Sequence, residues 1–367
     1  MIKTEYPCVT VFLRPRLVAI VVLAALVLMA STRGAYAQPV PSPVKESRVV
    51  AYTATSTAIQ LGTVLESFLY QYDYFPYLML GTATLQNLPG IIAGAEPALG
   101  NTGIQLGLDA AYAGSQLVFG NNFATPLLFN AAHKYSMFAT YDSYVSLRSR
   151  VEPSSSGYSD DYGAVASYSF FDLALAPFDY RVYNDWTMLG YLGSMSAFSV
   201  ISMLATDRPN AVWSTGEAYL GANRVPVWAG IPLVLLLQVP NFILTGVGEE
   251  ALYRGVYYEE LSYRLGQWPA KIIDGVYFTL SHFPQNWDNI VSSPPQEVIL
   301  NSLFTVAGAF WFQYVYEWRG LRSAVAAHAM GDVIVFFCDW LAQAGVPNHS
   351  GFSINERTLS IGMTLEL

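Results

Sequence analysis

The feature that most constrains this chain is a pair of acidic residues at the end of a long apolar run. The run extends from Val225 to Thr245 and is followed at once by the sequence GVGEE, in which the acids are Glu249 and Glu250. Ionisable side chains at such a depth in a membrane helix are costly and usually serve a function. The sequence therefore indicates a helical membrane protein with a polar site at or just inside the end of one membrane helix.

The helical period gives the two glutamates different surroundings. Glu250 and Arg254 are four residues apart, so they share one helix face, with the acid on the favourable N-terminal side. Glu249 is rotated by about 100° from Glu250. We expect Glu250 to pair with Arg254, and Glu249 to point elsewhere without a partner.

The composition agrees with a chain that is partly embedded in lipid. Of the 367 residues, 53% are hydrophobic and 12% are charged, and the mean hydropathy of +0.32 is high for a soluble protein. The predicted fold class is all-α, a polytopic bundle of transmembrane helices. The helices predicted in the second half of the chain are Trp186–Ala205, Val225–Thr245, Ala270–Phe283, Val298–Trp318 and Ser323–Ala344.

Residues 1–37 have the pattern of a bacterial signal peptide. A basic start is followed by the apolar run Leu17–Ala30 and by an A-x-A cleavage site that ends at Ala37. Because this run is short for a full membrane span, we expect cleavage rather than permanent anchoring. Cleavage leaves 14 basic and 26 acidic residues, a net charge of −12, which argues against a nucleic-acid partner. It also leaves Cys338 as the one cysteine, which excludes an internal disulfide.

The remainder of the chain divides into three predicted parts. Residues 38–161 form an N-terminal region of unknown role, which is partly helical and ends in the polar patch Ser154–Asp161. Within it, Phe129–Arg150 combines helical spacing with several charged residues and is expected to be interfacial or soluble. Residues 162–345 form the membrane domain, and residues 346–367 form a tail whose alternating apolar residues predict a strand.

Two further polar motifs interrupt the later apolar helices. The first is FTLSH at Phe278–His282, and the second is HAMGD at His328–Asp332. In each motif the outer residues are four positions apart and share a helix face. Taken alone, each motif also fits an ordinary helix cap or a buried packing contact.

Together, the three motifs resemble those of a known family. Glu249–Arg254 matches EExxxR, Phe278–His282 matches FxxxH, and His328–Asp332 matches HxxxN/D. In this order, on successive hydrophobic helices, they are the motifs of the CAAX prenyl endopeptidase and bacteriocin-processing (CPBP, or Abi) intramembrane proteases. The resemblance covers residues 186–345 and makes the predicted membrane domain CAAX-protease-like.

The resemblance implies an all-helical membrane fold with a polar intramembrane cavity and an endopeptidase activity. In the family, the first glutamate of the first motif and the histidine of the second activate a water molecule. The matching residues are Glu249 and His282. The arginine of the first motif holds the second glutamate, which makes Glu250 and Arg254 a structural ion pair.

The third motif departs from the commoner family pattern. Its histidine and asparagine steady the oxyanion, and the matching residues here are His328 and Asp332. An aspartate donates a hydrogen bond only when it is protonated, so two roles remain open for Asp332. It either steadies the oxyanion with His328 or orients the imidazole, as carboxylates do around metal-bound histidines.

A metal-dependent interpretation competes with the glutamate mechanism. Glu249, His282 and His328 would make a His₂Glu set like that of several zinc hydrolases. The chain has no HExxH, and the three ligands come from separate helices. We therefore expect no cofactor, with zinc as the alternative.

The sequence thus predicts an intramembrane endopeptidase that acts on a peptide or protein substrate in the lipid bilayer. The predicted location is the inner membrane of a bacterial cell, as a multi-pass protein. The alternative is a catalytically silent membrane protein of the same fold, which binds a peptide or confers immunity to a bacteriocin.

Overall fold

The described part of the chain is nearly all-α. The structure is a computed structural model that describes residues 43–66, 75–119, 124–151, 167–205, 208–220, 223–283 and 295–346. Its α-helices are α1 (Glu46–Glu66), α2 (Phe75–Leu85), α3 (Leu88–Ala93), α4 (Ala98–Phe119), α5 (Ala124–Arg148), α6 (Phe170–Ala174), α7 (Trp186–Ala205), α8 (Val212–Thr215), α9 (Val227–Leu252), α10 (Glu259–Leu265), α11 (Gln267–Ser281), α12 (Pro295–Arg319) and α13 (Leu321–Gln343). Two 3₁₀ turns, Ala176–Phe178 and Tyr180–Tyr183, follow α6, and strands β1 (Ala218–Leu220) and β2 (Asn223–Val225) form an antiparallel hairpin before α9.

The apolar segments of the second half form helices close to the predicted bounds. Helix α7 has the predicted range, Trp186–Ala205, whereas α9 continues beyond Thr245 through both glutamates. The helical path then passes through a π-helical turn, Tyr253–Tyr258, into α10. Such turns are rare and frequently occur at functional sites.

Helix α9 packs between α5 and α13, and glycines allow both neighbours to approach closely. A Cβ atom at Gly246 would lie 3.0 Å from the backbone oxygen of Val325 in α13. A Cβ atom at Gly248 would lie 2.7 Å from both the Cβ atom and the backbone oxygen of Lys134 in α5. Because interiors are close-packed, these two glycines set the spacing of three helices beside Glu249.

The segment Phe129–Arg150, which was expected to be interfacial or soluble, lies within the core of the helical bundle. It forms most of α5, in which Phe138 and Tyr141 are almost completely buried. These residues share one hydrophobic core with the C-terminal half of α9. The charged residues of α5 have partners on distant helices rather than in water; Arg148, for example, pairs with Glu46 at 2.8 Å.

Among the described residues, two helical segments are long and apolar enough to cross a membrane, Val227–Leu265 and Leu321–Gln343. In the apolar window of the first segment, 22% of the residues are buried, so most residues of this window keep some exposed surface. A large outward apolar surface indicates contact with lipid or with another apolar partner. The first of these segments carries EExxxR, and the second carries HxxxD.

Three predictions concern residues outside the described ranges. They are the signal peptide at 1–37, the polar boundary Ser154–Asp161 and the alternating residues of the tail, Leu359–Leu365. These stay predictions.

Candidate active site

Glu250 and Arg254 form a fully buried ion pair at the base of the site. Arg254 Nε lies 3.2 Å from Glu250 Oε2, and neither side chain is exposed. The guanidinium also donates from Nη2 to the backbone oxygen of Ala309 at 2.9 Å and lies 4.5 Å from the ring centre of Phe278. A second buried carboxylate, Asp274 of α11, lies 4.0 Å from Arg254 Nε. One arginine therefore balances two carboxylates in the interior.

The imidazole of His328 is held by Glu250 and by an aromatic ring. Its Nδ1 lies 2.7 Å from Glu250 Oε1, and the ring stacks on Phe312 with a centroid separation of 4.6 Å. Since an ionised carboxylate only accepts, Nδ1 carries a proton. The other nitrogen, Nε2, lies 3.5 Å from Asp332 Oδ2 and 3.7 Å from Glu249 Oε2. The contact that orients His328 is therefore made by Glu250 rather than by Asp332.

The two carboxylate oxygens of Glu249 have different surroundings. Oε1 accepts a hydrogen bond from Lys134 Nζ at 2.6 Å, so the expectation that Glu249 has no partner is wrong. Oε2 is buried and accepts no hydrogen bond from the described part of the chain. It lies 3.7 Å from Nε2 of His282 and 3.7 Å from Nε2 of His328. One oxygen is thus fixed by a cation, and the other faces two imidazoles.

The spacing of the FxxxH motif fixes the ring of His282 at the C-terminal end of α11. Its Nδ1 lies 2.7 Å from the backbone oxygen of Phe278, one turn earlier, and the ring of Phe278 packs against it at 4.6 Å. A carbonyl oxygen only accepts hydrogen bonds, so Nδ1 is the protonated nitrogen. In the neutral ring, Nε2 is therefore an acceptor on the side of Glu249.

The structure brings all four residues predicted to be catalytic into one site. The side chains on one side of this site are more exposed than those on the other. The side chains of Glu249 and His328 are 8% and 6% exposed. Those of His282 and Asp332 are 24% and 35% exposed. Glu249 is therefore more accessible from the side of His282 and Asp332 than from the side of His328.

The residues expected to hold zinc in the metal-dependent interpretation, Glu249, His282 and His328, do not form such a centre. Among the described residues, no group of three or more His, Cys, Asp or Glu side chains is placed to hold a metal ion. The ammonium of Lys134 lies 2.6 Å from Glu249 Oε1 and would repel a divalent cation bound to the same carboxylate.

Lys134 and Asp274 are two site residues that the motifs did not indicate. Both had a signal in the sequence. Lys134 follows Asn130 by four residues, which places two polar side chains on one face of a helix that is largely apolar. Asp274 precedes Phe278 by four residues and so lies on the face of α11 that carries FxxxH.

Comparison with protein-family models matches residues 231–334 to the type II CAAX prenyl endopeptidase Rce1-like family. The matched segment contains all three motifs, whereas Lys134 lies outside it. Neither the curated proteins nor the solved structures include a significant match to the chain. The resemblance predicted from EExxxR, FxxxH and HxxxD is thus confirmed: residues 231–334 of this chain match the model of the type II CAAX prenyl endopeptidase Rce1-like family.

Proposed function

We propose that this chain is an intramembrane endopeptidase in which Glu249 acts as the general base. The observation that carries the proposal is the position of Glu249 Oε2. This oxygen is buried, accepts no hydrogen bond from the described residues, and lies 3.7 Å from Nε2 of both His282 and His328. A buried carboxylate oxygen that faces two imidazole nitrogens can share a water molecule with them, which is the arrangement that general-base catalysis needs. Endopeptidase activity is also what the description of the matched family states.

One water molecule can bridge Glu249 and His282. Their facing atoms, Oε2 and Nε2, are 3.7 Å apart, and a water can lie about 2.8 Å from each of them. Such a water donates one proton to each acceptor and directs a lone pair toward the carbonyl carbon of a bound peptide. General-base assistance of this kind contributes about 100- to 10,000-fold to a rate.

The proposed hydrolysis proceeds by addition and elimination. The water oxygen bonds to the peptide carbonyl carbon while Glu249 takes one of its protons. The carbonyl oxygen becomes an oxyanion, which needs a donor nearby. His328 supplies that donor from Nε2 in its doubly protonated form, because Nδ1 is already bonded to Glu250. Glu249 then passes its proton to the amide nitrogen as the C–N bond breaks, which yields a carboxylic acid and an amine.

We further propose that this hydrolysis needs no metal ion, since Lys134 neutralises the carboxylate that would have to bind one. Treatment of the purified protein with a strong zinc chelator is expected to leave the cleavage rate unchanged. A loss of rate that added Zn²⁺ restores would contradict this part of the proposal.

The proposed location is a bacterial inner membrane, with several spans. Trp318 precedes α13 and Trp228 lies near its other end, and both are largely exposed, as is typical of side chains at membrane–water interfaces. Helix α13 has 23 residues and is about 35 Å long, close to the thickness of the hydrocarbon layer. His328 is seven residues from its start, which places the site about 10 Å below one surface.

A catalytically silent protein of the same fold is the second candidate, and one observation favours it. Glu249 is held in an ion pair with Lys134 at 2.6 Å, and a carboxylate stabilised by an ammonium group is a weaker base. Such a protein would bind a peptide, or confer immunity to a bacteriocin, without cleaving it.

Protein N-termini in membrane fractions distinguish the two candidates. Cells that contain the wild-type protein are expected to show new N-termini that are absent with Glu249→Gln, because glutamine keeps the shape but removes the base. Glu217→Gln is the matched control, since Glu217 pairs with Arg224 near the surface. Cells with this variant should show the same N-termini as cells with the wild type. Identical N-termini for the wild type and Glu249→Gln would contradict the endopeptidase and favour the silent protein.

A further inference from the structure

We propose that helix α5, which lies outside the segment matched to the family, completes the active site by positioning Glu249 through Lys134. The inference rests on the endopeptidase function proposed above and adds a residue to its machinery. Lys134 contacts the proposed base rather than the peptide, so it is a positioning residue.

The contact between Lys134 and Glu249 is short and largely shielded from solvent. Nζ and Oε1 are 2.6 Å apart, and the two side chains are 12% and 8% exposed. Attraction between charges grows as water is excluded, so this pair is stronger than a typical surface salt bridge. The ammonium engages Oε1 and leaves Oε2 facing His282 and His328.

Polar contacts one turn earlier fix the register of α5 against α9. Asn130 donates from Nδ2 to Asn241 Oδ1 at 2.7 Å and to Thr245 Oγ1 at 3.3 Å. Asn130 and Lys134 are four residues apart, as are Asn241, Thr245 and Glu249 in turn, so each set lies along one helix face. Polar side chains that meet between apolar helices hold those helices together within a bilayer. The lysine is thus placed opposite the glutamate by matched spacings on two helices.

Glycines on α9 and in the π-helical turn that follows it allow α5 to lie close enough for this contact. A Cβ atom at Gly248 would be 2.7 Å from the backbone oxygen of Lys134, and one at Gly255 would be 2.5 Å from the ring of Tyr141. Any larger side chain at either position would push the helices apart. The separation of α5 from the helical path of α9 is therefore fixed both before and after the Lys134–Glu249 pair along the chain.

The role follows from the geometry of the free carboxylate oxygen. A glutamate side chain has three rotatable bonds, and fixing them costs conformational entropy. Holding the side chain in one orientation before the reaction removes this entropic cost from the activation barrier. Without the ammonium, Glu249 would still face the imidazoles of His282 and His328 but would lose the cation that holds Oε1. We expect the loss of Lys134 to lower kcat and to leave KM unchanged, because Lys134 holds the base and not the substrate.

The test uses the full-length protein purified in detergent. The probe is an internally quenched peptide that spans a cleavage site seen in cells that contain the wild-type protein and absent from cells that lack it. Lys134→Met is expected to lower kcat by about 10- to 100-fold, the range found when a residue that orients a functional side chain is lost. Lys134→Arg should recover a large part of the loss, because it keeps a cation within reach of Oε1. The control is Lys271→Met, since Lys271 pairs with Glu317 at 2.8 Å away from the site and its loss should not change kcat.

A thermal unfolding measurement separates positioning from a general structural role, and it remains informative if Lys134→Met folds poorly. Lys134→Met leaves Glu249 buried without its cation, so its Tm should fall. Adding Glu249→Gln to that variant should restore part of the loss, because no charge then remains unpaired. Strictly additive changes in Tm would show that the two residues do not act as a pair and would overturn the inference.

The outcomes of the two proposals are distinguishable. A normal kcat for Lys134→Met would overturn the role of Lys134, and the peptidase proposal would survive because Glu249→Gln remains inactive. An equal loss of kcat in Lys134→Met and Lys271→Met would also overturn that role. The loss of a lysine charge would then lower kcat to the same extent at the site and away from it. Peptides cleaved equally by the wild type and Glu249→Gln would overturn the proposed function itself.

Discussion

At the scale of single residues, the helical period separates the two glutamates, but long-range contacts define what each one does. The pairing of Glu250 with Arg254 could be predicted because it is local, four residues along one helix. The contacts of Glu250 with His328 and of Glu249 with Lys134 join residues 78 and 115 positions apart. The helical period of the sequence gives no information about such contacts, since they depend on how separate helices pack. Glu250 thus serves both as the partner of Arg254 and as the support of an imidazole.

The buried cation should be essential for stability. Arg254→Met leaves the carboxylates of Glu250 and Asp274 in the interior without their shared partner. Removing one member of a buried ion pair costs about 3–5 kcal/mol, so we expect less folded protein and a lower free energy of unfolding in denaturant titrations. Arg224→Met is the control, because Arg224 is 69% exposed in its pair with Glu217 and its loss should cost about 0–1 kcal/mol. Similar losses for both variants would contradict the buried network.

At the scale of elements, apolar runs predict where helices form but not how far they extend or what they face. The apolar run predicted a helix as far as Thr245, whereas α9 continues through Gly246 and Gly248, two residues of low helix propensity. Helix α9 continues because α5 and α13 pack against these glycines and stabilise it. Most of helix α5 was expected to be interfacial or soluble because charged residues interrupt its apolar pattern. A polar face directed at another helix has the same sequence pattern as one directed at water.

The close approach of α5 to α9 can be tested with one added methyl group. Gly248→Ala places a Cβ atom 2.7 Å from the backbone of Lys134, and such overpacking costs about 1–3 kcal/mol. We expect a lower Tm and a lower kcat, because Lys134 is moved away from Glu249. Gly114→Ala in α4 is the control, since nothing lies within 4 Å of its added Cβ atom, and alanine should raise helix stability by about 1 kcal/mol. A Gly248→Ala protein as stable and active as the wild type would contradict the close contact.

At the scale of the whole molecule, the N-terminal region and the family segment share one hydrophobic core. The motifs allowed the family and the site residues on α9, α11 and α13 to be predicted. They carried no information about α5, because the family match begins at residue 231. The N-terminal region therefore has a structural role that its own sequence did not indicate, and it contributes a side chain to the proposed site.

The outward apolar surface predicts how the full-length protein behaves toward membranes. Only 22% of the apolar window within Val227–Leu265 is buried, and exposing the remaining apolar surface to water costs about 25 cal/mol per Å². The protein should remain in the membrane pellet after washing with alkaline carbonate and enter solution only with detergent. Release by carbonate alone would contradict an integral membrane protein.

The claim that Glu249 activates the attacking water is tested most directly by the initial cleavage rate of the purified full-length protein on the internally quenched peptide. The rate of Glu249→Gln is expected to fall by about 100-fold or more while the variant remains folded at the assay temperature. Glu217→Gln, measured alongside, should match the wild type. A Glu249→Gln rate close to the wild-type rate would contradict the proposed mechanism.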